Sequence, residues 1–401
     1  METAAPTNRR QYTEFLIFIA ILGAFSSLVN DMYLPTLPSM MREFHTTPSI
    51  TQLGLSAVMA GLGIGSAIWG SLSDRYGRKP ILLISLAIFA AGTAVSIFSP
   101  SIYFFIVCRL FQGIGAGGAM VLSYSIPADR YTGRSLAGVM AVVGAINGIA
   151  PALAPTIGGI MADATGWRGI FVLLLLIGAG MWIWARHRPE SLPPEHRLQT
   201  AGIRQYMKAY GVLLRNGRFM IYVMIKSIGI GLLFAYIASA PFIIQDHYGF
   251  SAFEFGLIFG GNAIAIALGS MLVMKFKVLK HGLITGCFVM IAFALGAAFV
   301  MYHADHFLAY EAMAIPMLAG SGMVFSSANS LGMDVGRNDA GTAAAILNVI
   351  KYIFAAIVSP LAGIGNIMHS SAIAFVCIDI LALAFVIPAM RLRPLADMVK
   401  N

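Results

Sequence analysis

The feature that most constrains this chain is a succession of long apolar runs, many close to the roughly 20 residues that cross the hydrocarbon of a bilayer. Breaking the sequence at charges, prolines and polar clusters gives about twelve of them. They lie near 13–36, 49–72, 80–99, 102–126, 135–162, 167–185, 218–244, 252–274, 281–302, 307–331, 340–366 and 371–390. Within hydrocarbon every backbone N–H and C=O must find a partner inside the protein, which leaves only helices or closed barrels. The runs are continuous rather than alternating, so they read as helices. Charged residues make up 11% of the 401 residues and hydrophobic ones 58%, whereas a soluble domain carries about 25% charged. The expected fold class is an all-α membrane protein of twelve transmembrane helices.

The first run continues past Asn30 and Asp31 without a small-residue cleavage pattern, so it reads as a span and not as a removable signal. Cys108, Cys287 and Cys377 fall in apolar runs without metal-ligand spacing and read as small hydrophobes. No metal and no cofactor are expected.

A net charge of +9 invites a nucleic-acid partner, but the placement of the charges argues against one. With both ends of the chain on one side of the membrane, 21 Lys and Arg fall in the termini and the loops on that side, seven of them between Arg186 and Arg218. The other side holds only Arg42 and Arg168. The positive-inside rule then puts both termini in the cytoplasm. The polar stretch 186–217 carries Pro189, Pro193 and Pro194 and reads as a cytoplasmic linker. A short interfacial helix is expected within it around 203–214. Residues 1–185 and 218–401 would then be two six-helix halves.

Internal similarity supports two halves. A shift of 199 residues lays Gly61 on Gly260 and Gly70–Ser71 on Gly269–Ser270; a shift of 205 lays Asp129 on Asp334 and Pro155 on Pro360. These matches place span 2 on span 8 and span 5 on span 11, as a six-plus-six duplication requires. Parallel repeats with a site near the bilayer midplane are a transporter architecture.

Between spans 2 and 3 stands GSLSDRYGRKP, residues 70–80. It reads as a tight turn: Gly77 can take left-handed angles and Pro80 can begin a helix without a donor. Gly70 permits close helix approach, and Asp74 can pair with Arg75 or Arg78. Two readings are open for these charges: they set topology, or they form a cluster that breaks and re-forms as helices move. Span 4 holds RLFQGIGAG (109–117), span 5 holds GAINGIAPALAPTIGG (144–159), span 1 ends in NDMYLPTLP (30–38), and span 7 holds FAYIASAPF (234–242).

The 70–80 string resembles the signature cytoplasmic loop of the major facilitator superfamily, and 109–117 resembles its arginine-bearing motif. Residues 144–159 are similar to the Gly/Pro-rich antiporter motif of drug exporters, carried here by Pro151, Pro155, Gly158 and Gly159. Ala150 and Ala154 stand where that motif usually has glycine. The strings at 30–38 and 234–242 are similar to the bicyclomycin and chloramphenicol resistance branch of proton-coupled drug exporters. The resemblance implies two pseudo-symmetric six-helix halves with a binding site between them. It also implies alternating access driven by the proton gradient, a bacterial inner membrane, and small, largely apolar drugs as cargo. Export or uptake of a cellular metabolite in the same fold is the alternative. The partners expected are lipid, protons and substrate, with the protein a monomer.

An ionisable side chain in hydrocarbon costs at least about 2.5–3.5 kcal/mol near the centre, so each needs a reason. Asp31 lies toward the outer end of span 1. Arg109 lies about seven residues into span 4 from that side, roughly 10 Å down. Two readings are open: Asp31 binds the coupling proton with Arg109 modulating its affinity, or the two form a permanent ion pair. Lys351 and Asp379 both fall near mid-depth and are expected to form a structural pair between spans 11 and 12. Lys226 has no evident partner and either snorkels to the cytoplasm or faces the cavity. In the second case the interior carries +1, from Arg109, Lys226 and Lys351 against Asp31 and Asp379, which favours neutral, zwitterionic or anionic cargo over multivalent cations. Further candidates for the substrate cavity are Tyr33, Gln112, Asn147, Tyr236 and Asn262. Asn329, Asn348 and Tyr352, with Lys226 and Lys351, complete the set. No HExxH string, no nucleophile–His pair and no Walker-type loop occurs in the chain, so an enzyme or an ATP-driven pump is not expected.

Overall fold

The computed structural model describes residues 9–197, 210–304 and 306–392. Helices dominate them, in the order expected. They are α1 (Arg9–Asp31), α2 (Leu37–Glu43), α3 (Pro48–Tyr76), α4 (Arg78–Ile97), α5 (Ile102–Arg130) and α6 (Gly133–Arg186). Then follow α7 (Gly217–Pro241), α8 (Ala252–Leu272), α9 (Leu279–His303), α10 (Phe307–Val335), α11 (Ala340–Leu361) and α12 (Ile367–Arg391).

Eleven helical stretches among the described residues are long and apolar enough to cross a membrane. One of them, α6, has 54 residues, which at 1.5 Å per residue is about 80 Å, more than two bilayer cores. It is broken at Gly166, whose φ of 66° and ψ of −172° are not helical. Such a backbone suits a residue without a β-carbon, and the break separates the two spans read from the sequence as 135–162 and 167–185. The protein is therefore an all-α membrane protein of twelve spans.

The first span is shorter than expected. Helix α1 ends at Asp31, and the chain continues as a 3₁₀ turn, Leu34–Thr36, into the short α2. Pro35 and Pro38 supply the reason, because neither can donate the backbone hydrogen bond that would carry α1 onward. Elsewhere the ends are set by local chemistry. Ser101 accepts from the Phe104 N–H at 3.3 Å to start α5, and Asn216 accepts from the Phe219 N–H at 3.1 Å to start α7. The interfacial helix expected near 203–214 lies mostly outside the described residues; residues 210–215 are helical.

The chain divides into two compact units. One comprises residues 1–46, 53–200 and 251–260, the other 47–52, 201–250 and 261–401. Within the first, α5 packs on α4 and α1, and α6 packs on α1 and α4. Within the second, α10 packs on α9 and α7, α11 on α7, and α12 on α9. The same pairings thus recur, offset by six spans. Close contact in the first unit depends on small residues: a β-carbon on Gly113 would collide with the Val58 carbonyl of α3. Without a hydrophobic drive between helices in lipid, such backbone proximity is what holds them.

Candidate functional site

In the first unit the interior is organised by Arg109, which is fully buried. Its guanidinium donates to the Val29 carbonyl at 3.0 Å and to the Gly54 carbonyl at 3.4 Å. It also donates to Gln112 Oε1, and its Cζ sits 4.1 Å from the Tyr33 ring centroid and 5.6 Å from that of Phe171. Gln112 Nε2 in turn donates to Thr93 Oγ1 at 2.8 Å, which ties α5 to α4. The reason lies in helix ends. Val29 belongs to the last turn of α1, where carbonyls have no donor further along the helix and where a positive charge meets the negative end of the dipole.

Asp31 is buried two residues further on, and Asn30 Nδ2 donates to its Oδ1 at 2.7 Å. No cation lies within the 4.0 Å of an ion pair from it among the described residues. The permanent Asp31–Arg109 pair open in the sequence is therefore not formed, since the terminal carbonyl and Gln112 take the guanidinium instead. Tyr33 and Gln112, expected to line a substrate cavity, have 0% exposure and serve as the arginine's platform and its acceptor. Asn147 is half-buried and donates to Tyr124 Oη at 2.8 Å, joining α6 to α5.

The 70–80 string forms a charge network at one end of the unit. Arg78 donates through Nε to Asp129 at 2.9 Å, and through Nη1 to Asp74 at 2.5 Å and to Ser73 Oγ at 2.7 Å. Gly77, with φ of 103°, makes the turn. Gly70 faces Val121 of α5. Arg75 instead lies 5.3 Å from the ring centroid of its neighbour Tyr76. Sequence reading missed Glu190. Its carboxylate accepts from the backbone N–H groups of Arg78 at 2.9 Å and Lys79 at 3.1 Å, capping the first turn of α4. Nothing local in the sequence signals a cap from more than a hundred residues away. It comes within reach because α6 lies along α4, where Trp182 donates to the Leu83 carbonyl at 3.1 Å.

In the Gly/Pro-rich motif, Pro151 and Pro155 lie inside α6. A β-carbon on Gly158 would strike the Met32 carbonyl at the end of α1, and one on Gly159 the Ala252 carbonyl. The motif is thus a surface for backbone contact within the unit.

The second unit holds two separate polar groups. Lys226 of α7, 1% exposed, donates to Asn329 Oδ1 of α10 at 2.8 Å. Its Nζ is 5.4 Å from the Phe325 ring centroid, and that of Lys351 is 5.8 Å from the same centroid and 4.5 Å from that of Tyr352. Lys226 therefore has a partner, contrary to the sequence reading. Phe325 and Asn329 are one turn apart on α10, and Asn348, Lys351 and Tyr352 share one face of α11 by the same spacing. The expected Lys351–Asp379 pair is not formed. Asp379 is 2% exposed, and neither of its oxygens has a hydrogen-bond partner among the described residues. Both residues sit near mid-depth, but Lys351 turns toward α10 and not toward α12.

The other group was only half anticipated. Asn262 Nδ2 donates to Tyr236 Oη at 2.6 Å and to Glu311 Oε2 at 3.0 Å. Glu311 is 8% exposed, and its Oε1 has no partner among the described residues. As the fifth residue of α10 it passes for a helix-end charge in the sequence. Counting it with Asp31 and Asp379 against Arg109, Lys226 and Lys351 brings the charges that the sequence reading placed inside the spans to three of each sign, so the +1 of that reading becomes zero.

A model of the Major Facilitator Superfamily matches residues 19–360. Over 394 residues the chain is 34% identical to an uncharacterized MFS-type transporter of Bacillus subtilis strain 168, covering 95% of this chain and 96% of that one. A chloramphenicol resistance protein of Pseudomonas aeruginosa is 32% identical over 254 residues, which are 63% of this chain and 59% of that protein. A solved structure of the nucleoside transporter NupG matches the fold with a TM-score of 0.74 at 13% identity, covering 94% of this chain and 98% of that one. With a repeated six-span pairing, a buried span-4 arginine and a family match over most of its length, the chain belongs to the Major Facilitator Superfamily.

Proposed function

We propose that this transporter is a proton-coupled antiporter that exports small, largely apolar compounds across a bacterial inner membrane, with both termini cytoplasmic. The observation that carries the coupling is the state of Asp31. It is a buried carboxylate held by Asn30, two residues from the carbonyl that anchors Arg109, yet not neutralised by that arginine. Such a group can take and release a proton without breaking a salt bridge, while the nearby fixed positive charge modulates its affinity. The name of the chloramphenicol resistance relative supports drug export as the use, and the 21-to-2 split of basic residues supports the orientation.

The test is substrate-induced proton movement in proteoliposomes, using chloramphenicol as the probe. Wild-type protein is expected to move protons against the drug. Asp31→Asn is expected to fold, to bind the drug and to lose the proton movement. Full coupling in that variant would remove Asp31 from the mechanism, and drug flux without protons in the wild type would sink the antiport reading.

A further inference from the structure

Lys226 and Lys351 approach one aromatic ring, Phe325, from two different helices, each with its Nζ within 6 Å of the centroid. An ammonium has three donors. Lys226 uses one on Asn329, and Lys351 has no hydrogen-bond acceptor among the described residues. Neither has a carboxylate within the 4.0 Å of an ion pair among them. The two buried carboxylates of this unit lie elsewhere. Glu311 is near the start of α10, and from residue 311 to residue 325 the helix rises about 21 Å. Neither oxygen of Asp379 has a partner among the described residues, so it neutralises neither lysine.

Two amines facing one ring in the interior of a membrane protein, with no carboxylate beside either, are held as ammonium ions when a negative charge comes from outside the chain. The chain has also built what would hold it. Lys226 is enclosed, at 1% exposure, while Lys351 is half-buried and is not among the enclosed polar atoms, so its ammonium reaches open space. Phe325 and Tyr352 supply flat apolar faces beside the charges, and Asn329 fixes the deeper lysine. We infer that Lys226, Lys351, Phe325, Asn329 and Tyr352 form an anion-binding subsite that takes the carboxylate or sulfonate of a small aromatic organic acid. The inference rests on the transport reading above and extends its cargo, from neutral apolar compounds to those that also carry one acidic group.

The experiment compares two probes of nearly equal shape on the purified full-length protein in detergent: naphthalenesulfonate, permanently anionic, and the neutral naphthalenesulfonamide. Calorimetric titration is expected to show the sulfonate binding about tenfold more tightly, the scale of one charge-assisted hydrogen bond. Lys226→Gln and Lys351→Gln are expected to erase that preference, and Lys351→Arg to keep it. In wild-type protein the sulfonate, but not the sulfonamide, is expected to protect Lys351 from amine acetylation read by mass spectrometry. This measurement stands even where a glutamine variant fails to fold. Equal affinities, no sulfonate binding, a preference that survives both glutamine variants, or unprotected Lys351 would each overturn the subsite. No proton gradient is present, so the outcome is independent of whether Asp31 couples transport to protons.

Discussion

Arg109→Lys keeps the charge of the first unit's interior and removes only the fork that distributes it. The guanidinium bonds the Val29 and Gly54 carbonyls at 3.0 and 3.4 Å and Gln112 Oε1, and stacks 4.1 Å from Tyr33. A lysine ammonium is a point charge on a shorter reach and can keep one of those acceptors. Hydrogen bonds between membrane helices average about 0.6 kcal/mol each, and a desolvated cation–π contact is worth about 2 kcal/mol. Losing two of the bonds and half or more of the stacking therefore costs about 2–3 kcal/mol. The assay is reversible unfolding in mixed detergent micelles, with proton-coupled transport measured on the same preparation. The expected result is a loss of that size together with a large drop in transport, despite the unchanged charge. A variant within about 0.5 kcal/mol of wild type, the range of an inert surface change, would refute the claim that this fork braces α1, α3 and α5.

Other perturbations follow from the same contacts. Gly113→Ala is expected to lower the melting temperature sharply, because its β-carbon meets the Val58 carbonyl; Gly148→Ala, with nothing within 4 Å, is expected to be neutral or stabilising. Asp379→Leu is expected to stabilise the protein in the same unfolding assay, since a buried carboxylate without a partner is removed. Exchanging Lys351 and Asp379 is expected not to rescue either single neutralisation, and a rescue in a transport assay would restore the pair that the structure lacks. Arg78→Gln is expected to cost about 1–3 kcal/mol, chiefly through the largely buried Asp129, which keeps only Ser191 as a donor among the described residues, whereas Asp74 is open to solvent. Glu190→Gln keeps an oxygen acceptor and weakens the cap on α4 and the 4.0 Å pair with Arg197, so a smaller loss, about 0.5–1 kcal/mol, is expected.

What the sequence by itself determined follows from the solvent. Hydrocarbon admits few structures, so apolar runs, prolines and glycines were enough to place twelve spans and the break at Gly166 within a few residues. The 70–80, 109–117 and 144–159 strings were equally legible, because their residue types and spacing are local, although the contacts they make reach Asp129, Val29 and Met32 elsewhere in the chain. What only the tertiary structure decided is which buried charge meets which. Depth along a helix is readable from residue counts, but rotation about the axis and the identity of the neighbour are not. Asp31 and Arg109 stand at compatible heights, yet the terminal carbonyl of α1 claims the arginine. Lys351 and Asp379 share a depth and look in different directions. Glu311 stands near the start of α10, and only the fold buries it against Asn262; Glu190 becomes a cap only because α6 lies on α4. A one-dimensional pattern fixes how far into the membrane a charge must go, whereas its partner is chosen by packing across helices distant in sequence.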